Sequence, residues 1–425
     1  MGALRRFGSR FVQILILIFS WAVFSGCPSE APSQAFPKKT MLWELANPRY
    51  DGDVKALLEN AKNHEVLVAV LDSGIDYNNK RFKRHLHAFS TNPNSGRFYG
   101  LGLDLLGKDY FPSYQILDPS TGADASANFD GTAEHGTHVA GLALPNDPRV
   151  GVVPVRVIPV ASRINDTFVF GDQGEGEAEM TRRFLKLVIR GLDFAVRQGA
   201  SIVNISLGAS VEEFPEESRR EFLRLIEATA LPKLKGPWKN TLMVIAAGNE
   251  RSNMKKVTLS IPATINHPDL LSVGALKNKR MVAEYSNFGR FVDVYTRGSD
   301  VRSALPENER GLMSGTSMAT PLVANLAAQL KLIEPGLNPR QLRALILNTA
   351  DIEMLPLEPE SVAENEKPRS KYKGGPRALK AYVVNFAKAR KAAKALAAMT
   401  EKDRKRLLKP PFEHGYAPAV LRRRK

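Results

Sequence analysis

Four short, strongly apolar runs constrain the fold of this chain more than any other feature. They are Val66–Leu71, Val152–Ile158, Ser201–Ser206 and Leu242–Ala247. Each has the length of a strand, and in the first nearly every position is apolar, as expected for a strand buried on both faces. Between and around them lie helical patterns over 53–62, 175–199 and 215–230. Two shorter strands are predicted at 271–275 and 291–294. Apolar strands alternating with helices argue for an α/β fold: a doubly wound, mostly parallel sheet with helices on both faces. At 425 residues the chain can hold one large domain of this kind or two smaller ones. From 85 to 130 Gly, Asn, Pro and Tyr dominate with little periodicity, which reads as a long surface excursion.

The residues with chemical potential stand where these runs end. Val66–Leu71 empties into Asp72-Ser73-Gly74-Ile75-Asp76. A carboxylate at the carboxyl end of a buried strand sits where open α/β sheets place their sites, although a lone Asp there serves equally well as a turn cap. His135-Gly136-Thr137-His138 opens another helix. Two histidines three apart can ligate a metal, but the HExxH pattern is absent and no third ligand stands nearby, so no metal site is expected. Leu242–Ala247 turns over at Gly248-Asn249-Glu250. Gly315-Thr316-Ser317-Met318-Ala319-Thr320-Pro321 introduces a helical run from Leu322 to Ile333. Ser317 therefore lies at a helix N-terminus, which favours negative charge, and by itself would also suit an N-cap.

Charge and the ends of the chain add a second layer. The net charge is +16, but residues 367–425 hold 19 Lys/Arg against 3 acidic residues, so the preceding body is neutral. Arg5, Arg6 and Arg10 precede an apolar run from Phe11 to Phe24, short for a membrane span and suited to an export signal. That run leads to Cys27, the only cysteine, which excludes an internal disulfide. The segment resembles a bacterial lipoprotein signal, with Phe24 as a departure; the resemblance implies lipidation of Cys27 and export to the cell envelope, or else plain secretion. The reading divides the chain into a signal over 1–27, a flexible tether over 28–40, a main domain over 41–394 and a basic tail over 395–425. The tail is a candidate for contact with an anionic envelope surface. Nucleic acid is not expected, because aromatic stacking motifs are missing from it.

Asp72 in VAVLDSGID, His135 in HGTHVAG, Asn249 in AAGN and Ser317 in GTSMATP occur in the order found in subtilisin-like serine proteases, the subtilases. The chain resembles that family from about Trp43 to about Ala389. The resemblance implies a serine endopeptidase acting on polypeptides, with Ser317 as nucleophile, His135 as base and then acid, and Asp72 orienting the imidazole. It implies an oxyanion hole containing Asn249. Ser206, Leu207 and Gly208 would pair with an extended substrate, and Gly208 and Gly248 would leave room for a side-chain pocket. Glu250 matches a position bordering that pocket, which implies a preference for a basic side chain. No cofactor is required for the chemistry. Relatives bind structural calcium at loop carboxylates; Asp104, Asp109, Asp118, Asp124 and Asp130 lie in the excursion without EF-hand spacing, so no site is assigned. The stretch between Cys27 and Val66 is too short for a folded pro-domain.

Overall fold

The computed structural model describes residues 54–90, 99–106, 110–114, 132–158, 163–164, 167–168, 177–210, 216–254, 260–265, 267–279, 281–357 and 378–412. The signal, Cys27, the tether, much of the excursion and the tail beyond 412 lie outside these residues.

The main sheet contains β1 (Val66–Asp72), β2 (Leu103–Asp104), β3 (Val150–Arg156), β4 (Ile202–Ile205), β5 (Leu242–Ala246), β6 (Leu270–Asn278), β7 (Met281–Val282), β8 (Val294–Arg297), β9 (Asp351–Pro356) and β10 (Ala378–Val383). Their order is β9-β10-β8-β6-β5-β4-β1-β3-β2, with β7 beside β6. All pairings are parallel except β6 with β7 and β9 with β10. The helices are α1 (Val54–Lys62), α2 (Thr132–Ala143), α3 (Glu177–Arg197), α4 (Glu216–Lys235), α5 (Thr316–Ile333), α6 (Pro339–Thr349), α7 (Phe386–Ala395) and α8 (Glu401–Leu407).

Every residue of β1 is buried. Val66, Val68 and Val70 face the cluster built with α1, α2, α5, α6 and α7, whereas Leu67, Ala69 and Leu71 face the one built with α3 and α4. This is the two-sided burial that its sequence demands. Moving a Val or Leu side chain out of water contributes roughly 1.5–3 kcal/mol. The strand alone therefore supplies on the order of 10 kcal/mol before chain entropy is subtracted. Helix α5 runs against the sheet through Met318, Ala319, Val323, Ala324, Leu326, Ala327, Ala328 and Leu330, all buried. Its alanines let the helix approach the strands closely.

Four expectations need correction. The described parts of the 85–130 segment are not a surface excursion: Leu86, Leu101, Leu103 and Phe111 are buried, and Leu103–Asp104 is an edge strand of the main sheet. The strand expected at 291–294 begins only at Val294, because Asp293 spends its side chain on the neighbouring strand, accepting from Ser272 N at 2.9 Å. Helix α4 continues past Ala230 to Lys235, since Leu234 and the following Trp238 are drawn into the core. The tail boundary at 395 is also displaced. Leu396 and Leu408 are buried, and Asn348 Nδ2 donates to the carbonyls of Leu407 (2.7 Å) and Lys409 (2.8 Å), so the chain stays docked through α8.

Candidate active site

Strands β1, β4 and β5 are neighbours, and the candidate residues lie at or just beyond their carboxyl ends. Asp72 closes β1, and the turn after it requires Gly74 at φ +100°. Gly136 packs on that turn so closely that a Cβ would strike the Gly74 carbonyl, and its N–H donates to Ser73 Oγ at 3.0 Å. This backbone contact seats the start of α2 against the end of β1. As a result His135 Nδ1 donates to Asp72 Oδ1 at 2.8 Å, and Ser73 N donates to the same oxygen at 2.7 Å. With the proton on Nδ1, Nε2 is left as the basic nitrogen; it is buried and bonded to no described residue. Burial alone would lower the His135 pKa, but the charge and hydrogen bond of Asp72 outweigh it and raise it.

Ser317 is the second residue of α5 and is 5% exposed. Its hydroxyl donates to the Ser206 carbonyl at 3.2 Å, and Ser206 Oγ donates to the Ser317 carbonyl at 2.9 Å. The structure thus joins Asp72 to His135 and Ser317 to Ser206; it shows no hydrogen bond between Ser317 and His135. Leu207 is buried and Gly208 half-buried, and the chain then pairs antiparallel through Ala209–Ser210 with Ser260–Ile261. Asn249 Oδ1 accepts from Thr316 N (2.9 Å) and Thr316 Oγ1 (3.0 Å), and Thr316 Oγ1 accepts from Gly248 N at 3.2 Å. With its oxygen occupied, Asn249 has Nδ2 free to point away from Thr316. Nδ2 and Ser317 N each lie 3.6 Å from the point where a Cβ on Gly315 would stand, so two N–H donors flank one small space. The Glu250 carboxylate accepts from Asn287 Nδ2, which also donates to the Ala247 carbonyl.

Sequence reasoning missed three supporting residues. Ser73 and Thr316 fix the turn and the Asn249 amide, and each stands directly beside a residue that was singled out. Arg81 carried no signal at all. Its Nε and Nη2 donate to the Gly141 carbonyl at 3.3 Å each, and Nη2 also reaches the carbonyls of Leu144 and Pro145. These carbonyls lie at and beyond the C-terminal end of α2, where helical partners run out and a cation is favoured. Arg81 thereby clamps the far end of the helix that begins near His135.

His138, one turn along from His135, is wholly buried, with Nε2 at 3.0 Å from the Val301 carbonyl and 3.3 Å from that of Gly311. Burial pushes its pKa down to about 4, and does the same at His85, His87 and His267. An unfolded histidine binds its proton near 6.5, so between that pH and about 4 the unfolded chain takes up protons the folded one refuses. Stability should fall as pH drops through this window, by up to ~3 kcal/mol per histidine, with His135 opposing the trend because its pKa is raised. Urea titrations should show several kcal/mol lost between pH 7 and pH 4; a flat profile would contradict the assignment.

No group of three or more His, Cys, Asp or Glu side chains able to hold a metal occurs among the described residues. Of the excursion carboxylates only Asp104 is described, and it pairs with Arg156 at 3.1 Å, which does not suit it to a calcium ion.

The model of the subtilase family matches residues 63–387. The major intracellular serine protease of Bacillus subtilis (strain 168) is 29% identical over 65% of this chain and 71% of its own length. The cell wall-associated protease of the same organism is 27% identical over 73% of this chain but only 29% of its own length. Subtilisin amylosacchariticus, from Bacillus subtilis subsp. amylosacchariticus, is 31% identical over 52% of this chain, which spans about half (51%) of that relative's length.

Proposed function

The chain belongs to the subtilase family and is a subtilisin-like serine protease, and from that premise we propose that Ser317, His135 and Asp72 form its catalytic triad. The observation that carries the proposal is the 2.8 Å bond from His135 Nδ1 to Asp72 Oδ1, which leaves Nε2 ready to accept a proton. The proposal requires the Ser317 hydroxyl to leave the Ser206 carbonyl and donate to that nitrogen instead. Such bonds are commonly loose before substrate arrives. His135 then takes the hydroxyl proton as Ser317 attacks the peptide carbonyl, and returns it to the leaving amine. Water repeats the cycle on the acyl-enzyme.

Charge developing on the carbonyl oxygen meets Asn249 Nδ2 and the Ser317 N–H at the start of α5. Because Thr316 already holds the Asn249 oxygen, the amide needs no reorganisation during the reaction. Asn249→Ala should lower kcat by roughly a hundred- to a thousand-fold with little change in KM, a magnitude carried over from subtilisin itself. A comparable rise in KM instead would make Asn249 a binding residue.

The substrate is an extended polypeptide lying along Ser206, Leu207 and Gly208, with one side chain entering between Gly208 and Gly248. Glu250 beside that entrance favours a basic side chain, and cleavage-site profiling of Glu250→Gln tests this. Export and lipid attachment at Cys27 rest on Arg5, Arg6, Arg10 and the apolar run after them. The two Bacillus subtilis relatives differ in compartment by their names, so the leader carries this reading; mass spectrometry of the mature N-terminus tests it. A fluorophosphonate probe tests the mechanism: labelling should require both Ser317 and His135. Labelling that survives Ser317→Ala would end the proposal.

A further inference from the structure

The C-terminal helices present cations that the catalytic machinery does not use. On α7, Lys388, Lys391 and Lys394 are exposed along one side, while Ala389 and Ala393 are buried on the other. On α8 and just after it, Lys402, Lys405, Arg406 and Lys409 are exposed, while Leu408 is buried. Some of this charge is neutralised: Lys388 pairs with Asp351, Lys405 with Glu401 and Arg404 with Glu334. Lys391, Lys394, Lys402, Arg406 and Lys409 have no carboxylate partner among the described residues.

Their place in the fold is defined by α5. That helix starts at the nucleophile and has 18 residues, about 27 Å at 1.5 Å per residue. Glu334, which caps its far end, lies 3.6 Å from Arg404 of α8. Arg390 of α7 donates to Gln329 in the last turns of the same helix. Asn348, near the end of α6, holds the backbone of 407 and 409, and Phe412 rests on Tyr382 with ring centroids 5.1 Å apart. The cationic face therefore lies at the end of α5 remote from Ser317. The strands' amino ends face the same way, so the chain enters the sheet at Val66 from that side.

We infer that the exposed cations of α7 and α8 form a docking face for an anionic phospholipid bilayer, turning the cleft toward the aqueous phase. Each lysine or arginine held near such a surface tightens binding roughly fivefold. Two features favour a bilayer over a nucleic acid: the face is made of lysine and arginine on two short helices, and no exposed aromatic ring interrupts it for bases to stack on. No helix among the described residues is long and apolar enough to cross a membrane, so this contact is peripheral. The inference takes its setting from the proposed export. Its test does not use Cys27, so failure of lipidation and failure of the face can be told apart.

The test uses the full chain with Cys27→Ser, mixed with vesicles of phosphatidylcholine alone or with about 30% phosphatidylglycerol. Phosphatidylglycerol should raise partitioning at least tenfold, and raised salt should remove the gain. Reversing charge at Lys391, Lys394, Lys402 and Arg406 to Glu should abolish that gain while kcat/KM for a soluble peptide stays unchanged. The same four positions changed to Gln, which introduces no repulsion, should lose most of it, and this keeps the test valid if the reversed variant misfolds. Either variant, folded and active yet partitioning like its parent, would assign the charge effect to the leader or to Arg422–Lys425 and overturn the inference. Tighter binding of the parent to an oligonucleotide than to the anionic vesicles would overturn it as well.

Discussion

Ser317→Ala should reduce kcat by roughly a million-fold, the loss that removal of the corresponding serine causes in subtilisin. The structure gives reason to expect a full effect with little collateral damage. The hydroxyl makes a single hydrogen bond, to the Ser206 carbonyl, and the residue's backbone carbonyl keeps its bond from Ser206 Oγ. Alanine fits the start of α5 and leaves Met318 and Ala319 packed as before. Melting temperature should therefore shift little while hydrolysis disappears, and a chromogenic peptide should release almost no product even with enzyme in excess over substrate. A variant that kept even a hundredth of the parent's turnover would mean that another group attacks the substrate.

Asp72→Asn should cost about ten-thousand-fold in kcat, the penalty seen for the matching change in a serine protease of different fold. The reason lies in which atom meets His135. Asp72 Oδ1 accepts at once from His135 Nδ1 and from Ser73 N. An asparagine that keeps its oxygen at this position satisfies both donors but brings no charge to stabilise the imidazolium, whereas one that turns its NH2 there loses the Ser73 bond and forces Nδ1 to become an acceptor. The imidazole proton then moves to Nε2, the nitrogen required to receive the serine proton. The pH profile separates this from simple misfolding. In the parent, activity should fall below a pKa raised above the ordinary histidine value by Asp72, whereas the variant should lose that elevation. An unmoved acid limb would show that Asp72 does not set the protonation of His135.

The order of strands and helices was readable because the central strands are buried on both faces and have few polar positions to blur the pattern. Val66–Leu71 is the clearest case, with no residue facing water. The segment around 85–114 was misread for the opposite reason. Tyr99, Leu101, Leu103 and Leu105 do alternate with Gly100, Gly102 and Asp104, but the alternation is short and carried by glycines, which strands disfavour, and the buried Leu86 and Phe111 stand outside it. In α7, which the sequence reading keeps within the body, Ala389 and Ala393 are buried in the core that α5 and α6 also line, while its lysines face outward. The 291–293 stretch shows how a single aspartate can end a ladder by placing its own carboxylate where a backbone bond would form.

For the site, each chemistry-bearing residue was marked by the strand or helix end on which it stands. What local pattern could not supply was convergence across 245 positions between Asp72 and Ser317; the likeness to a known family alone suggested it. Thr316 and Arg81 were invisible for a further reason. Thr316 acts on an amide from another loop, and Arg81 acts on main-chain carbonyls, which every residue possesses and no sequence advertises.

The grip of Arg81 on the tail end of α2 has a practical corollary. An ion held by carbonyl oxygens can be diluted away, sequestered by a chelating agent or exchanged for another. A guanidinium tethered through its own backbone can be none of these, so its hold on that helix does not depend on a supply of dissolved metal ions.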